Sequence, residues 1–181
     1  DLDNKNDIIF LNSRSTVKSD DLIIKGDWGV LNKTEESINI WGNGIIKSET
    51  RIIYSDSIFI NKNKDSQLIG NVEVHENENI KIYCHNLFEK EGHSEFSGNP
   101  KIEFSSQDGD IIIEGKKMKL NNNDSILFIN QNTYISSDSI QGKCDNSVFN
   151  LNSGTICMTQ QPVIWTEKHQ ISGDTIYIYK K

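Results

Sequence analysis

Apolar and polar residues alternate along this chain in short runs, and the alternation is itself periodic. In the stretch 53–74, Ile53 lies two residues before Ser55, so both side chains fall on one face of a strand. Ile58 and Ile60 follow three and five residues after Ser55, and that odd offset predicts a bend or bulge at the small residue. The polar stretch 61–65 predicts a turn, after which a second strand carries Leu68. Gly70-Asn71 then interrupts the pattern before Val72 and Val74 resume it. Each unit reads strand, corner, strand, turn, strand, corner, strand.

The unit repeats. Pairs of a small and a polar residue stand at Gly26-Asp27, Ser55-Asp56, Cys84-His85, Gly115-Lys116, Cys144-Asp145 and Gly173-Asp174, at steps of 29, 29, 31, 29 and 29 residues. Five after the small residue come Leu31, Ile60, Glu89, Leu120, Phe149 and Ile178. The second corner is read at Gly42-Asn43, Gly70-Asn71, Gly98-Asn99, Gln131-Asn132 and Gln161-Pro162. Two before it stand Ile40, Leu68, Phe96, Ile129 and Thr159; four after it, Ile46, Val74, Ile102, Ile135 and Trp165. Glycine reaches positive φ without steric cost and asparagine tolerates it, so the Gly-Asn corners predict left-handed backbone. The two glutamine corners are expected to bend differently or less. Two before the small residue stand Ile24, Ile53, Ile82, Ile113, Gly142 and Ile171; Glu89 and Gly142 break the apolar columns, which predicts the mouth of any apolar trough towards the C-terminal units. A fixed period of this size marks units that cannot bury their apolar faces alone and must stack. Residues 1–25 read as a leading partial unit with Ile8 and Phe10 on a strand, and the chain as one domain over 1–181.

Isoleucine-rich triplets such as Ile111-Ile112-Ile113, set among turn-forming residues, place the chain in the all-β class. A net charge of −7 and the lack of a basic stripe argue against nucleic acid as a partner. Lys116, Lys117 and Lys119 read as a solvated strand face, and no apolar run of about 18 residues offers a membrane-spanning helix. Cys84 and Cys144 share the small-residue column, two repeats apart, and Cys157 lies off it, so no obligatory disulfide is expected. His75, His85, His93 and His169 show no metal-ligand spacing, and Asp108-Gly109-Asp110 reads as a turn. Asp56, Asp145 and Asp174 recur at one place in the unit, which suits bonding to corner amides better than acid catalysis. No enzyme, metal or cofactor is expected.

Three segments carry a family resemblance: Ile-Tyr-Ser-Asp-Ser-Ile (53–58), Ile-Gly-Asn-Val-Glu-Val (69–74) and Ser-Gly-Asn-Pro-Lys-Ile-Glu-Phe (97–104). Together they resemble the OstA/LptA family of lipopolysaccharide-transport proteins, over about residues 20–181. Ser, Cys or Gly replaces the alanine of the family pattern. The resemblance implies an elongated β-jellyroll of two antiparallel sheets, open at both ends, that shields lipid A acyl chains in the periplasm. It also implies a signal peptide already removed, and LptC-like and LptD-like jellyroll domains as partners.

On that reading the lipid-binding candidates are the large residues Phe96, Phe104, Met118 and Phe149, with Ile60, Leu68, Val74, Ile102, Leu120 and Ile135. The last strand offers Ile176, Tyr177 and Ile178 as an edge for head-to-tail self-association, capped by Lys180-Lys181. Three alternatives stand beside a bridge protein: an LptC-like or LptD N-terminal module, a parallel β-solenoid adhesin or carbohydrate-binding rod, and a structural module with a filled core.

Overall fold

The computed structural model describes residues 2–3, 7–19, 21–105 and 109–179, with 2–3 described by their backbone alone. The Asp108 turn and the Lys180-Lys181 cap lie outside the described residues. The regular structure of the described residues is all β. After the short β1 (Leu2–Asp3) come the long strands β2 (Ile8–Lys18), β3 (Ile23–Asn32), β4 (Ser37–Lys47), β5 (Arg51–Ile60), β6 (Ser66–Glu76) and β7 (Ile80–Lys90). Shorter strands follow as β8 (His93–Ser97), β9 (Lys101–Phe104), β10 (Ile111–Glu114) and β11 (Lys117–Asn121). The chain then runs through β12 (Ile126–Ser136), β13 (Ile140–Asn150), β14 (Thr155–Thr159), β15 (Val163–Thr166), β16 (Gln170–Ser172) and β17 (Thr175–Ile178). Neighbours pair antiparallel along the whole ribbon, which rules out the parallel solenoid.

Each long strand serves two layers. In β5, residues 51–54 pair with 73–76 of β6, and residues 57–60 pair with 66–69, with a register shift between Tyr54 and Ser57. The bulge lies at Ser55-Asp56, as the odd offset requires, and turns the strand from one layer into the other. In the first layer Ile46, Ile53, Val74, Ile82, Ile102 and Ile113 follow one another across the strands. In the second, Ile58, Leu68, Leu87, Phe96, Met118 and Ile129 do the same. Both rows are buried and meet in one core, each side chain contributing roughly 1.5–3 kcal/mol.

The second corners carry two consecutive left-handed residues in every unit. Gly42 and Asn43 have φ of 69° and 50°, Gly70 and Asn71 80° and 44°, Gly98 and Asn99 81° and 58°. The glutamine corners adopt the same geometry, contrary to the expectation of a weaker bend. Gln131 and Asn132 have φ of 64° and 56°, Gln160 and Gln161 59° and 60°, and Ser13 and Arg14 open the series at 48° and 51°. Glycine is needed where the neighbouring strand crowds the corner: a Cβ on Gly70 would lie 2.9 Å from Asp56 Cβ, and one on Gly98 2.4 Å from His85 Cβ. At the glutamine corners the neighbour contributes a main-chain bond, the amides of Lys116 and Asp145 donating to Gln131 and Gln160 at 3.1 Å each.

The last corner therefore sits at Gln160-Gln161, one residue before the predicted Gln161-Pro162. That slip moves the apolar columns from Thr159 and Trp165 to Met158 and Ile164, both buried. A one-residue shift exchanges the faces of a strand, and the pair without polar groups takes the inside, leaving the Thr159 hydroxyl and the Trp165 Nε1–H to partners outside the core. Gly142, opposite Ile135 and Ile164 in register, marks a close contact rather than an opening. A Cβ there would stand 3.1 Å from Met158 Cε, so the methionine occupies the space an isoleucine would fill.

Candidate functional site

The layers join along the corners, where each long strand passes from one layer to the other. Where the N-terminal units part, a cavity of about 530 Å³ opens between them. Leu22, Ile24, Ile46 and Ile53 wall it from the first layer, and Ile38 and Ile60 from the second. Its rim carries Asp21, Glu36, Lys62 and Lys64. The two lysines are presented by a built turn: Asn61 Oδ1 accepts from the amides of Asn63 (2.9 Å) and Asp65 (3.0 Å).

Arg51, Ser66 and Glu89 line the side of the cavity that faces the following units. Arg51 Nη1 donates to Glu89 Oε1 across the two layers. Ser66 Oγ donates to Glu89 Oε2 at 3.0 Å, and Ser94 Oγ to Glu89 Oε1 at 3.3 Å. Arg51 Nε is buried without a hydrogen-bond partner. Further along, the rings of Phe104 and Phe149 meet edge to face at 5.8 Å and draw the layers together. Beside them lies a smaller cavity of about 290 Å³, lined in part by Ile80, Phe104 and Leu120. A broader hollow of about 870 Å³ between 137–141 and 165–169 is walled by the first layer alone, with Asp138, Glu167 and Lys168 in its lining. Larger in volume, it lacks the second apolar wall that would shield a hydrocarbon chain.

All ten residues named as lipid-binding candidates face the space between the layers. Ile60 lines the large cavity, and Phe104 and Leu120 the small one. Phe96, Met118, Phe149, Leu68, Val74, Ile102 and Ile135 are buried in the packed core. The cavity lies in the N-terminal units, whereas the column breaks pointed towards the C-terminal ones. Met158 closes the gap at Gly142, and Glu89 belongs to the lining of the N-terminal cavity. The sequence reading missed Arg51. Its signal was present: the place four before the small residue holds Leu22, Ile80, Ile111 and Ile140 in other units, with His169 in the last. Asp56 accepts from Asn71 Nδ2 at 2.9 Å, the corner-amide role expected of that column.

Ile176, Tyr177 and Ile178 lie on β17, which pairs with β14 on one side and with no strand on the other among the described residues. Burial pushes the Cys84 thiol up to about 12 and the Cys144 thiol up to about 11. Cys144 Sγ donates to the carbonyl of Asn146 at 3.1 Å, as Ser55 Oγ does to Ser57 at 3.0 Å. The cysteine thus replaces serine in a corner bond.

Two antiparallel layers sharing bent strands, with an apolar interior that opens between the turns, define an open β-jellyroll. The chain belongs to the family described as LptA/(LptD N-terminal domain) LPS transport protein, whose profile matches residues 23–181. Among solved structures it is similar to LptH from Pseudomonas aeruginosa, described as the LptA-homologous periplasmic component of the conserved lipopolysaccharide transport device. That alignment covers 100% of both chains at 6% identity, with a TM-score of 0.36. No curated protein sequence matches the chain.

Proposed function

We propose that this chain is a periplasmic carrier segment that holds lipopolysaccharide by its acyl chains between the two layers, without covalent chemistry. Membership of a lipopolysaccharide-transport family supplies the cargo class. The observation that carries the binding site is the 530 Å³ cavity, apolar on both walls and reaching the surface among the turns. Acyl chains enter between Ile53 and Ile60, and Phe104 and Leu120 extend the contact at the smaller cavity. Phe96, Met118, Phe149, Leu68, Val74, Ile102 and Ile135 join it where the layers part further. LptC-like and LptD-like jellyroll domains are the partners at either end, and the free edge at Ile176, Tyr177 and Ile178 serves end-to-end pairing by strand addition.

Photo-crosslinking tests the site. A photoreactive residue at Ile60 or Phe104 is expected to capture lipopolysaccharide, while one at Phe128, on the outer face, is not. Equal capture at all three positions, or none at the inner two in a folded protein, overturns the reading. A structural module with a filled core predicts the second of these results.

A further inference from the structure

Two unrelated departures from the apolar columns meet inside the groove. In the first layer, the position held by Leu22, Ile80, Ile111 and Ile140 in other units, and by His169 in the last, is held here by Arg51. In the second, the position of Leu31, Ile60, Leu120 and Phe149 is held by Glu89. Their side chains form an ion pair from layer to layer. Ser66 and Ser94 flank Glu89 in register on the adjoining strands and both donate to its carboxylate. Each side chain of the pair is 21% exposed, so water reaches it only in part.

The lining of the large cavity comes from β2 to β7 and includes both members of this pair, which stand on its side towards the following units. Past them the apolar side chains of Ile80, Phe104, Leu120 and Leu151 line the next cavity, together with polar residues such as Glu76 and Asn122. A hydrocarbon chain advancing from the first cavity to the second has to separate the pair or strip it of its remaining water. Either step leaves charge buried without compensation, whereas the methylenes gain nothing from a charged wall. Arg51 Nε is already buried without a partner, so losing Glu89 would add a second unmet donor to the same guanidinium.

We propose that the Arg51–Glu89 pair, backed by Ser66 and Ser94, is a polar stop that sets how deep an acyl chain penetrates and so selects chains by length. The inference rests on the lipid-carrier reading above. It makes Arg51 and Glu89 determinants of specificity rather than parts of an undifferentiated core.

The test is displacement of the fluorescent probe 1-N-phenylnaphthylamine by saturated fatty acids of increasing length. In the wild-type protein affinity is expected to rise with length and then level off. In Arg51→Leu/Glu89→Leu the rise continues over further carbons, by roughly three- to fourfold per added methylene. The exchanged pair Arg51→Glu/Glu89→Arg restores the plateau. If the double leucine variant does not fold, Arg51→Met/Glu89→Gln removes both charges and keeps an oxygen for the serines; its plateau is expected at longer chains. A length profile unchanged in the folded variants overturns the stop and leaves the carrier reading intact. Wild-type protein that binds neither probe nor fatty acid overturns the carrier reading, and the stop with it.

Discussion

Asn71 reaches across to the neighbouring strand and donates its side-chain amide to Asp56 at 2.9 Å, joining the second corner of one strand to the first corner of the strand before it. Asn43 and Asp27 repeat the bond one unit earlier at 2.7 Å. The pairs explain why small-polar and Gly-Asn signatures travel together along the sequence. One supplies the acceptor, and the other a left-handed backbone that aims the donor and leaves room for the acceptor's side chain.

The corner glycines and glutamines should then differ sharply on substitution. Gly70→Ala forces alanine into φ of 80° and sets its Cβ 2.9 Å from Asp56 Cβ. The left-handed backbone alone costs roughly 1–2 kcal/mol, and the contact adds to it. A loss of at least about 2 kcal/mol is expected in urea unfolding. Gln131→Ala keeps a side chain at a corner that already tolerates one and should stay within about 0.5 kcal/mol. Equal losses at both sites would show that neighbour crowding does not distinguish the corners.

Met158 and Gly142 share one space, so their substitutions should couple. Gly142→Val places extra methyls where Met158 Cε already stands 3.1 Å from the added Cβ, an overpacking expected to cost roughly 1–3 kcal/mol. Met158→Ala alone empties a fully buried site and should cost roughly 2–5 kcal/mol. The double variant is expected to be more stable than the sum of the two losses predicts, by about 0.5 kcal/mol or more. Simple additivity in chemical denaturation would mean that the residues do not compete.

The fold was legible because it is written several times over. Ile53, Ser55, Ile58 and Ile60 fix the bulge by their spacing alone, and every unit repeats the statement. Reading failed where one position admits two faces. Thr159 and Met158 are adjacent, and only the packing around Gly142 and Ile164 decides which turns inwards. The site was harder to read. Its walls are ordinary column residues, and whether a column is filled or open depends on how far two layers stand apart. That distance is set by contacts such as Phe104 with Phe149, whose partners lie 45 residues apart (from 104 to 149) and leave no local pattern.

The buried thiols set both a reactivity and a pH limit. With Cys84 held near 12 and Cys144 near 11 by burial, almost no thiolate forms at either site in the folded protein at pH 8. Labelling of these two by a thiol reagent is expected to await unfolding, and to follow the denaturation curve. The sign of the linkage follows. Above the ordinary value of 9.0 the unfolded chain has released these protons and the folded one has not, so stability falls as pH rises. From pH 9 towards 11 the midpoint of thermal unfolding should drop, and replacing both cysteines with serine, which the Ser55 corner already uses, should flatten that slope.

Strand addition at the C-terminal edge makes the last prediction. Tyr177 is 56% exposed and stacks on Tyr179, with ring centroids 6.1 Å apart, on a strand whose inner side is tied to β14. Charge on an open edge blocks pairing with a further strand, because the incoming chain would have to desolvate it. Tyr177→Lys gives up only partly exposed contacts, with Cys157 opposite it in register and with Tyr179, and should leave the unfolding free energy within about 1 kcal/mol of wild type. If copies associate end to end through this edge, light scattering of the wild-type protein will show a size that grows with concentration. The lysine variant should remain small over the same range. Deletion of residues 174–181 should also abolish association, but it uncovers Ile156 and Met158, which pair with Ile178 and Ile176, and so carries a stability loss of its own. The point variant is therefore the decisive comparison: growth that persists in folded Tyr177→Lys would place the association elsewhere on the surface.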